Sequence, residues 1–432
     1  MFIIFISLRL SLQGSLSFRS IPKAVGIFFE EIPELRGIKI PSFTTVQRWA
    51  ATVGYFKLEC PKVRADDWQV IIDMSIQMGT QKCLTILGCR RANIKPGRAL
   101  KLQDLEPIEV RILNKVNGQA IKEALAAARE KVGNIQIICS DEGSDVLAGA
   151  RLYQEEHPKT IHIPDIAHKM ANFLKRRLKD DVTWKAFCVR ASEVKTKVQQ
   201  TEIAAIAPPA QRSKARFMNA DILVEWAAKM LCLLDNPNKI GVIDQSLFEE
   251  HLGWLREYRN AILHYSRLVR ITALARHLIR TLGVCTTAVE EFESQALAFD
   301  LDTTECQFVG EVLDFLYEQS CKTVDIGTFI GSSEILESFF GKFKSMEGDQ
   351  CKSGFTGLVL AAHAHVGTLD EEIVVNALSS VSTKKLKRWI KDQVGITIQS
   401  KRKNLFNSAK KIFKDIMGQE SSGILEGEVM GF

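Results

Sequence analysis

The sequence predicts an α/β protein: a core with a mixed sheet, a large all-helical block set into it, and a small helical region in front. Three observations predict this. Apolar, β-branched runs at Trp68–Asp73, Lys82–Gly88 and Ile108–Leu113 read as three strands in succession. Helix and strand signals then alternate from Gly118 to about residue 179, the pattern of parallel strands joined by crossovers. From about 180 to 330 strand signal is almost absent. There Trp184, Trp226, Trp254, Leu255 and Phe315 recur in amphipathic patterns broken at Pro208-Pro209 and Asn236-Pro237.

In chain order, Met1–Ser7 is an apolar stub too short to span a bilayer. It has neither the basic leader nor the cleavage site of a signal peptide, and a truncated or misassigned start is one reading of it. Residues 20–60 read as short helices. The run Ile40–Trp49 carries a capped helix start, with Gly54 as its stop. With a helix at about 23–35 before it, this makes a helix-turn-helix whose second helix offers Gln47 and Arg48 to a DNA groove. Gly118–Val132 is an Ala-rich helix, and Ile135–Cys139 a short buried-type strand running into Ser140-Asp141-Glu142-Gly143. A helix at 144–156, a strand at Thr160–Ile163 and a helix at 167–179 complete the alternating part.

Composition limits the function classes. The chain has 432 residues, 46% hydrophobic and 25% charged, enough for more than one core. Its ten cysteines are scattered with no C-x-x-C pair, which argues against a zinc ribbon or a disulfide scaffold and fits a reducing cytoplasm. No run is long and uncharged enough to be a membrane span, so no membrane partner is expected. The net charge of +6 is mild, but Lys384, Lys385, Lys387, Arg388 and Lys391, followed by Lys401-Arg402-Lys403, concentrate it near the C-terminus. Such clusters suit a phosphate backbone and equally form a solvated helix face. Neither G-x-G-x-x-G after the first strand nor G-x-x-x-x-G-K-[ST] is present, which disfavours a cofactor-binding α/β enzyme.

Asp73 and Asp141 share one design, an apolar strand followed by an acid where the strand gives out. In open α/β sheets the strand ends are where ligands bind. Magnesium takes oxygen ligands, few of them from protein, and two acids plus a third from elsewhere can hold two ions for phosphodiester chemistry. The third acid is expected from Ser332–Lys344. At about 100° per residue Ile335, Leu336, Phe339, Phe340 and Phe343 share one helix face, and Glu334, Glu337, Gly341 and Lys344 the other. Gly341 in mid-helix costs about 1 kcal/mol against Ala, which suggests a close approach there. An ordinary amphipathic helix would give the same pattern.

Ser140-Asp141-Glu142-Gly143 resembles the second-acid motif of retroviral integrases and DDE transposases, where an acid followed at the second position by Gly ends a strand. Glu337-Ser338-Phe339-Phe340-Gly341-Lys342-Phe343-Lys344 is similar to the glutamate helix of a group of bacterial DDE transposases, with a Lys seven residues after the Glu. Asp165-Ile166-Ala167-His168 resembles the acid-x-x-His motif of hAT-type and Mutator-type transposases, and the helical block is placed like the hAT-type insertion domain. Each motif is weakly specific; their order and spacing carry the resemblance, which spans about residues 40 to 365.

The resemblance implies an RNase H-like core with Asp73, Asp141 and Glu337 as catalytic metal ligands, and Glu334 as the competitor for the third place. Asp165 and His168 would be a pair behind the metal ligands or a DNA contact, though a helix N-cap with a satisfied histidine fits as well. Lys344 would hold a phosphate. The resemblance would have Trp254 stack on a flipped base, though a core tryptophan fits the pattern better. No C-terminal hAT dimerisation motif and no N-terminal zinc cluster is evident, which points to a bacterial element.

The organisation expected is a helix-turn-helix DNA-binding region at 1–60, the first part of the RNase H-like core at 66–180, the insertion at 181–330, the glutamate helices at 331–375 and a basic tail at 376–432. The function implied is metal-dependent cleavage of transposon ends and strand transfer, with two magnesium ions (manganese as a substitute). Double-stranded DNA and further copies of the chain are the expected partners, and a bacterial cytoplasm the expected place. The alternatives are an inactive transposase-derived DNA-binding protein and an RNase H-like nuclease without strand transfer.

Overall fold

A computed structural model describes residues 1–76, 81–95, 97–211, 217, 219–239, 241, 244–324, 327, 329–347, 355–396 and 398–423. The last residues of the predicted basic tail, 424–432, lie outside these. Strands β1 (Ala65–Ile76), β2 (Lys82–Arg90), β3 (Glu106–Leu113), β4 (Gly133–Ser140) and β5 (Ile161–Pro164) form one sheet in the order β3–β2–β1–β4–β5. The first three are an antiparallel meander, while β4 runs parallel to β1 and β5 parallel to β4. This is the mixed RNase H-like sheet the sequence predicts. The parallel return to β4 is made through helix α4 (Gly118–Val132), as a parallel pair requires.

Helices α1 (Phe2–Leu12), α2 (Ile21–Glu31) and α3 (Phe43–Glu59) precede the sheet. After α4 come α5 (Ser144–Glu156) and α6 (Ile166–Leu178), then α7 (Val182–Val198), α8 (Ala220–Asp235), α9 (Gln245–Leu252), α10 (Arg259–Leu282), α11 (Thr286–Leu297) and α12 (Thr303–Cys321). The chain then returns as α13 (Glu334–Glu347), α14 (Leu358–His363), α15 (Glu371–Ser380), α16 (Thr383–Gln393) and α17 (Ile398–Gly423).

The alternation of side chains along the strands decides which face carries the chemistry. Trp68, Val70, Ile72 and Ile138 join the core with α4 and α5, under one face. Ile71 and Cys139 join the core with α3, α13 and α14, under the other. Asp73 is two residues beyond Ile71 and Asp141 two beyond Cys139, so period two turns both acids toward the α13 face.

The helical block α7–α12 builds its own core, which continues onto the sheet through Ile137 and Ile163. Trp254 belongs to that core, the better-fitting of its two readings, and not to a base-stacking platform. It is buried against Phe187 and Tyr258, with ring centroids 5.9 and 5.6 Å away, and its indole is not offered to a base.

The N-terminal helices also depart from the expected form. The α2–α3 connection spans residues 32–42, longer than the three or four residues of a helix-turn-helix turn. Helix α3 packs on α14 so closely that a Cβ on Gly54 would lie 1.8 Å from the Leu360 carbonyl oxygen. Buried Lys57 on α3 donates to the carbonyls of Ala364 and Val366, which closes the end of α14. Residues 1–60 therefore share a core with α13–α16 and the sheet instead of forming a separate unit. At the start of α3, Arg48 is exposed and Gln47 half-buried. The apolar stub is part of α1, which sets Leu8 and Leu12 into this core. Lys384, Lys385, Lys387, Arg388 and Lys391 of α16 all face solvent, while Leu386 anchors the helix. No helix of the described residues is long and apolar enough to cross a membrane.

Candidate functional site

Ile72 and Ser140 are register partners on the parallel pair β1–β4. Asp73 and Asp141, the next residue on each, thus leave neighbouring strands at the same level on the same face. One detail differs from the predicted design. The strand does not give out at Asp73, because β1 continues to Ile76 with Asp73 opposite Thr85 of β2. What gives out there is the parallel partner β4, so Asp73 stands at the edge of the cleft and not at a strand end. Asp141 Oδ1 accepts the Gly143 amide at 3.2 Å, and a Cβ on Gly143 would come within 3.1 Å of that oxygen. This gives the glycine of the D-x-G run a local reason: a larger residue would crowd the carboxylate.

The third acid reaches the site through a segment clipped twice. The buried Gln69 side chain accepts the Ile330 amide at 2.8 Å, and Asp165 accepts the Ser333 amide at 2.9 Å. The Ile166 amide in turn donates to the Gly331 carbonyl at 2.9 Å. These bonds place the first turn of α13 beside the carboxyl ends of β4 and β5. Glu337 then faces solvent on α13, with His168, Glu334, Asp165 and Arg276 within electrostatic reach. Glu334, the rival acid, is instead paired with Arg280 at 3.0 Å.

Asp165 and His168 form a tight pair. Asp165 caps α6 through the amides of Ala167 and His168, and its Oδ2 lies 2.5 Å from Nδ1 of His168. Asp165 is buried, and burial pushes its carboxyl up, but the His168 bond and charge and the Ser333 amide hold it below the usual range. The same hydrogen bond raises His168 to about 9, with the charges of Asp165, Asp141 and Asp73 adding to it against burial. The imidazole therefore carries a positive charge at neutral pH. Asp73 is pushed the other way, up to about 7, by burial first and by the Asp141 charge, although the Met74 amide and His168 oppose this. Glu337 is also raised, by burial and by Glu334 and Asp165.

Asp73, Asp141 and Glu337 thus each lie within electrostatic reach of one imidazolium. Among the described residues, the only three potential ligand groups with atoms mutually within 4.8 Å are His264, Asp302 and Glu305 in the helical block. The candidate triad is wider than that. The His264 cluster is accounted for without an ion. Asp302 and Glu305 form the capping box of α12, while Arg267 and His264 bond the two oxygens of buried Glu305 at 2.5 and 2.7 Å.

The sequence assigns Asp73, Asp141, Glu337, Asp165 and His168 to one site, and the four acids all lie within electrostatic reach of that histidine. Lys344, exposed, lies two turns past Glu337 on the same side of α13. Around Gly341, between them, nothing of the described chain comes within 4 Å of where a Cβ would sit. Gln47, Arg48 and Trp254 lie on other elements, α3 and the segment before α10. Reading the sequence missed Gln69, Arg276 and Arg280. Period two would have put Gln69 on the face of Asp73, but nothing local announces a partner 261 residues away.

The fold and the side chains around Asp73 define an RNase H-like α/β protein with Asp73 and Asp141 side by side on its central parallel pair. No family model matches the chain, and no curated protein matches it. Solved structures do match, among them the Drosophila P element transposase strand transfer complex. That chain is 12% identical, with 86% of this chain and 92% of that one covered at a TM-score of 0.43. The fold assignment rests on the strand order and register, and at that score the likeness adds nothing to it.

Proposed function

We propose that the protein is a DNA transposase that cleaves transposon ends and transfers the freed strand to target DNA. The observation that carries this reading is the placement of Asp73 and Asp141 at one level of adjacent parallel strands, with Glu337 on a helix anchored to the same sheet. The motif order supports it, as does the long helical block between the second and third acids. All-oxygen donors, two of them carboxyls raised by burial and by neighbouring carboxylates, fit hard divalent cations. Asp73, Asp141 and Glu337 would hold magnesium or manganese, two ions in the working complex. Such ions, when bound, activate the attacking hydroxyl and offset charge on the leaving oxygen.

The chain's own groups supply the rest. Asp165 fixes the orientation of His168, whose positive charge offsets part of the acid cluster's repulsion. Lys344 holds a phosphate of the bound strand, and open space beside Gly341 lets that backbone approach α13. The exposed cations of α16 and Arg48 on α3 add backbone contacts, with Gln47 beside them. These position DNA without reading its sequence, except where Gln47 and Arg48 reach base edges. Joining two ends requires more than one copy of the chain.

The test is magnesium-dependent cleavage and joining of a duplex carrying the element's own ends. Asp73→Ala, Asp141→Ala and Glu337→Ala are expected to abolish both steps while DNA binding survives, and Glu334→Ala to keep both. A wild type that cuts without joining is a nuclease, and one that binds without cutting in magnesium or manganese is an inactive derivative. Loss of both steps in Glu334→Ala alone would move the third acid by one turn.

A further inference from the structure

Asp141 projects from a point where β4 has lost both of its neighbours. The parallel ladders on its two sides end together at Ser140, opposite Ile72 of β1 and Pro164 of β5. Proline has no amide to give, and the Ser140 carbonyl takes the Asp165 amide at 2.8 Å. Past that bond neither ladder holds the main chain of Asp141. A carboxylate that is to meet an ion needs a fixed backbone beneath it.

The support comes from behind the sheet. Ser140 lies two residues beyond Ile138, and His162 is the register partner of Ile138 on β5. Period two therefore sets both side chains on the α4–α5 face, while Asp141, one residue on, turns to the other. Ser140 is fully buried, and its Oγ donates to the Asp141 carbonyl at 2.9 Å. A hydroxyl has one hydrogen, so at its second contact, Nε2 of His162 at 2.8 Å, the same oxygen accepts. The ring proton thus sits on Nε2, and the imidazole, the hydroxyl and the Asp141 carbonyl form one chain of bonds. The imidazole sets the direction of the hydroxyl, and the hydroxyl holds the peptide that follows the acid. We propose that His162 is a positioning residue for Asp141, acting through Ser140 on the main chain that carries the second acid. This rests on the reading of Asp141 as a metal ligand and adds to it a residue from the opposite face of the sheet.

Two measurements on the full chain test it. In a chelator, hydrogen exchange follows the amides of Gly143 and Asp165, which bond the Asp141 carboxylate and the Ser140 carbonyl. His162→Leu and Ser140→Ala are expected to speed their exchange about fivefold or more, with the amides of α4 exchanging as in wild type. Manganese titration by calorimetry then reads the acid itself. His162→Leu should bind manganese about tenfold more weakly, as the loss of a partner behind a ligand does. Adding Ser140→Ala to it should cost little more, because two bonds of one chain fail together. His162→Gln, whose Nε2 can still donate to Ser140, should stay near wild type in both measurements. Unchanged exchange in His162→Leu overturns the proposal. So does wild-type manganese affinity in His162→Leu when Asp141→Ala has lost it, and the metal site then stands without the histidine. A His162→Gln as impaired as His162→Leu makes the ring a packing group only and also overturns it. If Asp141→Ala matches wild type in manganese, Asp141 is no ligand, and both readings fall.

Discussion

The Asp165 carboxylate accepts the Ser333 amide at 2.9 Å across 168 residues of sequence. The entire helical block lies between these two residues, so this bond and the one the Ile330 amide donates to Gln69 tie the start of α13 to the sheet. Asp165 does three things at once: it caps α6, orients His168 and fixes the start of the helix that carries Glu337. A buried carboxylate with four donors is neutralised where it stands, and removing it leaves those donors without a partner.

Asp165→Asn should therefore destabilise the fold, and by a pH-dependent amount. The folded His168 lies at about 9, above its ordinary 6.5, so the pair's contribution is fully present below about 6.5 and is lost as pH rises through 9. The wild type is expected to lose roughly 2 kcal/mol of that contribution over this window, His168 being partly exposed. In Asp165→Asn most of that slope should be lost, only the weaker pull of Asp141 and Asp73 on His168 remaining. Urea midpoints at pH 6 and pH 9.5 measure it, and parallel curves for the two proteins would remove the ion pair from the account.

Asp73 has the opposite consequence for the metal-free chain. Burial raises it to about 7 from an ordinary 3.8, so holding it ionised costs stability that sets in as pH rises from about 4 to 7. Asp73→Asn is expected to unfold later than wild type at pH 8 in a chelator, by on the order of 2 kcal/mol. Adding magnesium or manganese should then raise the wild-type midpoint and leave the variant's unchanged, since an ion that binds only the folded state stabilises it. Equal shifts in both proteins would place the cation elsewhere.

Most of the sheet was legible because its signals are local. Runs such as Val70-Ile71-Ile72 and Ile137-Ile138-Cys139 declare strands, and the alternation after Gly118 dictates parallel pairing of β4 with β1. The acids were legible because each follows such a run. What stayed hidden depends on partners far along the chain. Asp73 sits inside β1 because β2 continues beside it after β4 has ended, and no local pattern reports a neighbour's length. A surface platform stayed open as a second reading of Trp254, because helical periodicity does not say which apolar face meets Phe187. The α3 pattern looked like a free recognition helix because its closest neighbour, α14, comes more than 300 residues later.

That α3–α14 contact makes a sharp prediction. A methyl on Gly54 would overlap the Leu360 carbonyl oxygen, 1.8 Å away, and rigid backbone on both sides leaves little room to yield. Although Ala favours a helix over Gly, Gly54→Ala should destabilise the protein by about 3 kcal/mol, because overpacking outweighs propensity here. Denaturant unfolding measures this, and a neutral or stabilised variant would mean the two helices are not in contact.

Gly341 is the contrasting case, since a methyl there meets nothing within 4 Å and the residue lies in mid-helix between Glu337 and Lys344. Gly341→Ala should then stabilise the isolated protein by about 1 kcal/mol through helix propensity alone. The close approach that a glycine permits belongs to the bound state. Gly341→Leu, with the same helical preference and more bulk, is expected to leave stability near that of Gly341→Ala and to weaken DNA binding about tenfold or more, since each 1.4 kcal/mol of lost contact is tenfold. Titration of a labelled duplex against the three proteins separates the effects. Equal affinities would show that no strand comes near this turn of α13 and that Lys344 takes no phosphate there.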